Sequence, residues 1–272
     1  MESFMTKAAK IDRILSRAPK LDKTLRVEKP EFLARQKAVM EGLSKRGVDC
    51  GIVYSDEHYC GDVPYLGRCT NLSSEPVAGI LGPGGFHILA GLEGGYVAEQ
   101  LGYRSGAFIH KVEMLKLADE EYPIEAERVE DVLYQAAGRT PKNIGLLTPR
   151  EVLPVSVYQY FANLVGEENV VDCQEIYYKI KYEKSDREIQ LTRHAAWIAD
   201  AMLEGMLAVL EPGMLETQVS QWGYLIGQAL GSEDFGFDVM VTSGEANRTL
   251  IGKALNRVIR EGDYVHLGVE IG

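Results

Sequence analysis

The residues with the most chemistry to offer lie near the end of the chain. His266, Gly268 and Glu270 alternate within a Val/Leu-rich run, so a β-strand over residues 264–271 sets all three on one face. An imidazole titrates near neutrality, which makes His266 a candidate general base. The competing reading is a satisfied structural histidine. His194 has no ligand type three or four residues on, so it reads as structural. His58, Cys60 and Cys69 have only Asp56, Glu57 and Asp62 nearby as a fourth ligand, which is neither the set nor the spacing of structural zinc. Gly82-Pro83-Gly84-Gly85 lacks the spacing of a dinucleotide loop and reads as a hairpin turn.

Elements of two kinds must position these groups. Residues 30–46 predict a helix with Pro30 in its first turn and Gly47 at its end. Strands follow at 48–54, 77–81, 86–92, 107–112 and 143–147, with helices at 94–101, 124–137 and 151–165 between them. That alternation is the pattern of an α/β domain. Residues 177–184 hold Lys179, Lys181 and Lys184 without a clear period and mark a boundary. Ser185-Asp186-Arg187-Glu188 is a capping box, so a long helix runs to about Leu210, where Glu211-Pro212-Gly213 breaks it. A second helix at 216–230 and strands at 237–242 and 264–271 complete the reading. The domains expected are a basic leader (1–29), an α/β domain (30–175) and a second domain (176–272).

Charge and cysteine usage narrow the partners. The chain has 272 residues and a formal net charge of -11, which excludes a non-specific nucleic-acid binder. Residues 1–29 carry eight basic and four acidic side chains, so the rest holds -15. Phe4, Ala8, Ile11 and Leu15 sit near helical spacing among those basic residues. This is read as a solvated leader helix or docking arm rather than a membrane segment, because the apolar stripe is short. No stretch reaches the ~20 apolar residues of a membrane span. None of Cys50, Cys60, Cys69 and Cys173 is paired at C-x-x-C spacing, so reduced thiols in the cytoplasm are expected.

Five fragments in order resemble the creatinase, prolidase and aminopeptidase P family. They are Tyr65-Leu66-Gly67; Lys179-Ile180-Lys181 with Glu188-Ile189; Leu210-Glu211-Pro212-Gly213-Met214 with Glu216; residues 237–244, ending in Ser243-Gly244; and Glu261-Gly262-Asp263. The resemblance implies an N-terminal α/β domain followed by a "pita-bread" α+β domain, incomplete here. It implies hydrolysis of a C–N bond in a small peptide or amide, and a homodimer. It also implies divalent metal (Mn, Co or Zn) in a full-length relative, held by two Asp, one His and two Glu.

Departures from the family pattern bear on the site. The position of its first metal-binding Asp is Gly268, and that of a pocket His is Ile251. Four ligands would fall beyond Gly272, so this chain is expected to hold no metal cofactor. Glu270 is the candidate replacement ligand, since Glu270-Ile271-Gly272 mimics the D-x-G of the pattern, yet it stands ~6.6 Å along the strand from Gly268. A metal-free, creatinase-like hydrolase and a non-catalytic binding protein on the same fold are the alternatives.

Overall fold

Ser3 starts the first helix by accepting a hydrogen bond from the Thr6 N–H, and α1 (Phe4–Arg17) follows. The structure, a computed structural model, describes residues 1–68, 75–116, 125–248 and 252–271. The chain forms two compact units, Val27–Lys184 and the pair Met1–Arg26 with Ser185–Gly272.

The first unit is an α/β sandwich. Its elements are α2 (Lys29–Lys45), β1 (Cys50–Ser55), α3 (Asp62–Gly67), β2 (Val77–Gly82), β3 (Gly85–Ala90), α4 (Gly94–Gly102), β4 (Phe108–Lys111), α5 (Val129–Ala137), β5 (Ile144–Leu146), α6 (Val155–Val165), β6 (Val170–Asp172) and α7 (Gln174–Tyr182). Among the described residues the sheet order is β4-β3-β2-β1-β5-β6. The neighbours β1–β2 and β2–β3 are antiparallel, and the others are parallel. Apolar runs with little alternation fit strands covered on both faces. One face packs Ile52, Ile80 and Leu89 against Val132 and Phe161, and the other packs Val53, Leu81 and Phe86 against Val39, Leu43 and Tyr177.

The second unit holds α1, α8 (Asp186–Val209), α9 (Glu216–Leu230) and the antiparallel pair β7 (Met240–Ser243) and β8 (Val265–Gly268). Both bonds of the expected capping box form, from the Glu188 N–H to Ser185 Oγ (3.1 Å) and from the Ser185 N–H to Glu188 Oε2 (2.9 Å). Ile11 and Ile14 of α1 join the core of Ile198, Met202, Met206, Val219 and Ile226.

Several expectations change. Of the two readings of the basic leader, the structure has the docked one: α1 packs on α8, where Lys7 is 6% exposed and donates to the Val209 carbonyl (2.8 Å) and Glu211 Oε1 (2.6 Å). Lys10 donates to the Ala208 carbonyl (3.0 Å), so two ammonium groups satisfy the open carbonyls at the end of α8. The lysine-rich stretch is helical, as α7, and lies in the first unit because Tyr177 is buried in its core. The helix expected from 124 begins at Val129, since the Glu127 N–H is drawn to the Lys111 carbonyl at the edge of β4. Ile124, Ile251, Cys69 and Gly272 lie outside the described residues.

Candidate functional site

The break at Glu211-Pro212-Gly213 lets the chain reverse between α8 and α9, with Gly213 at φ 95°. The segment 255–259 then runs antiparallel to 213–217. The Gly213 N–H donates to the Ile259 carbonyl and the Ile259 N–H to the Met214 carbonyl (both 2.8 Å). The Glu216 N–H donates to the Arg257 carbonyl (3.1 Å). Glu216, the first residue of α9, is thereby held in the interior at 1% exposure.

A polar network follows. The Ser243 hydroxyl donates to Glu216 Oε1 (2.6 Å), and the Leu255 N–H donates to Glu216 Oε2 (3.1 Å). Arg257 Nη1 donates to Ser243 Oγ (2.5 Å) and to Asp263 Oδ2 (2.7 Å), which also accepts from the Arg260 N–H (2.8 Å). The bond from Arg257, then the Arg260 amide, hold the Asp263 carboxyl below its ordinary range, and the same ion pair raises Arg257. Gly244 has φ 58°, and a Cβ there would stand 2.2 Å from Arg257 Nη2. Only glycine lets the guanidinium lie this close. A cleft of about 520 Å³ opens beside the network, lined by Gly244, Glu245, Arg257, Arg260, Asp263 and Tyr264.

Glu216, Ser243 and Asp263 come from three of the motif fragments and meet here through Arg257, which the sequence reading missed. The signal available was a basic residue standing between two fragments, one bringing the Ser243 hydroxyl and the other the Asp263 carboxylate.

The two faces of β8 differ. Val265, Leu267, Val269 and Ile271 pack toward the core. His266 and Gly268 alternate with them on the opposite face, and Glu270 lies past the end of β8, which stops at Gly268 rather than running to residue 271. His266 is half-buried and registered against Thr242, and Gly268 against Met240. A Cβ at Gly268 would lie 2.7 Å from Met240 Cε, so the thioether occupies the volume a carboxylate side chain would need. Glu270 turns elsewhere: a Cβ at Gly236 would lie 2.5 Å from its Oε1. His266 and Glu270 are two pleats apart, ~13 Å along an extended strand, so the structure does not bring them together.

A two-metal site needs ions ~3.5–4 Å apart under bridging carboxylates. Among the described residues no group of three or more His, Cys, Asp or Glu is arranged to hold a metal ion. The donors present on the β7–β8 face do not fit a metal pair. No helix of the described residues is long and apolar enough to cross a membrane.

Residues 190–271 match the profile of metallopeptidase family M24. The chain is similar in structure to an Xaa-Pro dipeptidase from Bacillus anthracis, with a TM-score of 0.64, 20% identity, and coverage of 88% of this chain and 61% of that one. It is similar to an X-Pro aminopeptidase from Thermotoga maritima MSB8, with a TM-score of 0.67 and 17% identity over 87% of this chain and 61% of that one. A prolidase from Pyrococcus furiosus gives a TM-score of 0.63 and 16% identity over 86% and 66%. No curated protein sequence matches the chain. The family resemblance drawn from the motifs holds, and the chain adopts the expected fold, an α/β domain followed by the beginning of a pita-bread domain. The chain spans 61% of the length of the first two of these structures.

Proposed function

We propose that this chain is the N-terminal portion of an aminopeptidase P/prolidase-like hydrolase that cleaves a C–N bond in a small peptide or amide. One observation carries the reading: the segment matched to metallopeptidase family M24 contains the Glu216–Ser243–Arg257–Asp263 network and the β7–β8 pair beside it. The network fixes the core side of β7, and the pairing then fixes the face that holds His266. In this reading His266 is the candidate base and Glu270 the candidate carboxylate. A homodimer and a cytoplasmic setting belong to the same proposal; Cys50, Cys60 and Cys173 are unbridged, which supports the latter.

Gly268 beneath Met240 favours a second reading, in which the full protein is a metal-free, creatinase-like hydrolase or a binding protein on the same fold. Turnover of an Xaa-Pro dipeptide in added manganese, cobalt or zinc separates the two, measured on the full-length protein and on this chain. The peptidase reading expects turnover by the full-length protein and none by residues 1–272. Stoichiometric metal on this chain, lost in Glu270→Ala, would show that Glu270 replaces the missing Asp. A full-length protein inert toward peptides would favour the binding protein.

A further inference from the structure

A second cluster of titratable groups belongs to the first unit. His87 on β3 and His110 on β4 are buried, at 4% and 7% exposure. Their rings stack at 5.1 Å, with His87 Nδ1 2.9 Å from His110 Nε2. His110 Nδ1 is in turn 2.9 Å from Glu127 Oε2. The remaining ring nitrogen, His87 Nε2, is buried without a hydrogen-bond partner among the described residues.

With both rings uncharged, these contacts fix where the hydrogens sit. A carboxylate only accepts, so His110 Nδ1 carries a hydrogen toward Glu127. An uncharged imidazole has one N–H, so His110 Nε2 is then an acceptor. His87 Nδ1 must therefore be the donor to it, which leaves His87 Nε2 as a bare lone pair in the interior. The Gly84 backbone, in the turn between β2 and β3, lies where its hydrogen bond favours the charged form of His87.

We propose that Glu127, His110 and His87 form a proton relay with fixed tautomers, in which a proton from water enters at His87 Nε2 and latches the ring to the Gly84 carbonyl. The new N–H forms at Nε2. The hydrogen on His87 Nδ1 passes to His110 Nε2, and the positive charge settles on His110 against Glu127. Every ring nitrogen of the two histidines then has a partner, which the unprotonated state does not achieve. The elements tied together are the β2–β3 turn, β3, β4 and the segment ahead of α5.

The groups around the relay leave it little other charge to respond to. β2 sets Ile80 opposite His87, and β4 brings Phe108, whose ring stacks on His87 at 4.8 Å, together with His110. α5 packs on β2 and β3 and buries only Val129, Val132, Leu133, Ala136 and Ala137. Glu127 comes from the segment before α5, and Lys111 of β4 is turned to Glu99 and the Tyr96 ring. Burial, followed by the neighbouring His110, holds His87 down at about 4, so the relay loads only in acid.

Histidine-selective ¹⁵N NMR on the unmodified chain tests the assignment without any variant. At pH 7 both His87 and His110 are expected as Nδ1–H tautomers, and an Nε2–H form at either ring overturns the relay. On acidification the backbone amides of Gly84, Gly85 and Glu127 are expected to shift with the His87 titration while those of β5 stay. Titration of the imidazoles without movement at Gly84 overturns the latch. In Glu127→Gln the amide oxygen still accepts from His110 but carries no charge, so the His87 midpoint is expected to fall by about one pH unit. An unchanged midpoint in a folded variant overturns the placement of the charge.

Discussion

Each unit buries one carboxylate at the start of a helix, and the two are partnered differently. Asp62, in the first turn of α3, is fully buried and takes a cation directly: Lys181 Nζ of α7 stands 2.5 Å from its Oδ1, and Thr148 Oγ1 donates to its Oδ2 (2.7 Å). Its backbone is held as well, since the Tyr177 hydroxyl donates to the Asp62 carbonyl (2.5 Å) and Ser55 Oγ accepts from the Asp62 and Val63 amides. Glu216 touches no cation among the described residues. It accepts from Ser243 and a backbone amide, and Arg257 reaches it only through the shared Ser243 hydroxyl. A directly paired, buried charge locks two helices of a scaffold. A carboxylate bonded through hydroxyl and amide orients a strand and a turn, and here that strand borders the candidate site.

The largest effect is expected from breaking the first arrangement. Lys181→Met keeps the stem but leaves Asp62 as an uncompensated buried charge, which costs about 3–5 kcal/mol. Urea unfolding followed by circular dichroism is the measurement, and a loss under about 1 kcal/mol would mean that Thr148 and the surrounding amides suffice. Glu216→Ala comes next. It strands the Ser243 hydroxyl and the Leu255 amide, for about 2–3 kcal/mol. It should also loosen the amides of residues 241–243 in hydrogen exchange while those of β1 stay protected. Uniform loosening of both units would erase the contrast drawn between the two carboxylates.

His87 is the counter-example to both, a buried group with one atom left unpartnered. Its folded value lies near 4, below the ordinary 6.5 that the unfolded chain would show. Between those values the unfolded chain binds the proton and the folded chain does not, so stability falls as pH drops from about 6.5 to 4 and levels off below. The expected loss is on the order of 3 kcal/mol. In His87→Gln this slope should flatten, and melting curves at pH 7, 5.5 and 4.5 check it. The smallest expected effect is on the connections between units. Both end in a basic residue, Arg26 and Lys184. Brief trypsin treatment should cut there and leave residues 1–26 bound to 185–272, because α1 keeps Ile11, Ile14 and Lys7 in that unit. A free 1–26 peptide on gel filtration would show that this packing does not suffice to hold α1.

Local chemistry was readable along the chain wherever a pattern belongs to a single element. The capping box at Ser185, the break at Pro212, the Gly84 hairpin turn and the Gly47 and Gly231 helix ends are determined by side chains within a few residues of one another. The shared face of His266 and Gly268 is of the same kind, since it follows from strand geometry alone, whereas Glu270 falls beyond the end of β8. The five ordered motif fragments were enough for the fold family. The short α3 and β6 were missed because stretches of three to six residues carry too little periodicity to stand out.

Only the tertiary structure decided what meets across long separations. The convergence of Glu216, Ser243, Arg257 and Asp263 depends on how a helix break, a strand end and a turn are stacked, and no local pattern encodes that. The same holds for the cover of Met240 over Gly268, the diversion of Glu270 to Gly236 and the docking of α1 on α8. Residues 174–182 show the limit most plainly. Their lysines and tyrosines look aperiodic in one dimension, but burial of Tyr177 and the pairing of Lys181 with Asp62 give them a helix in three. Sequence sets the local options and their hydrogen-bonding groups; which of those groups are removed from water, and must therefore find each other, is set by packing.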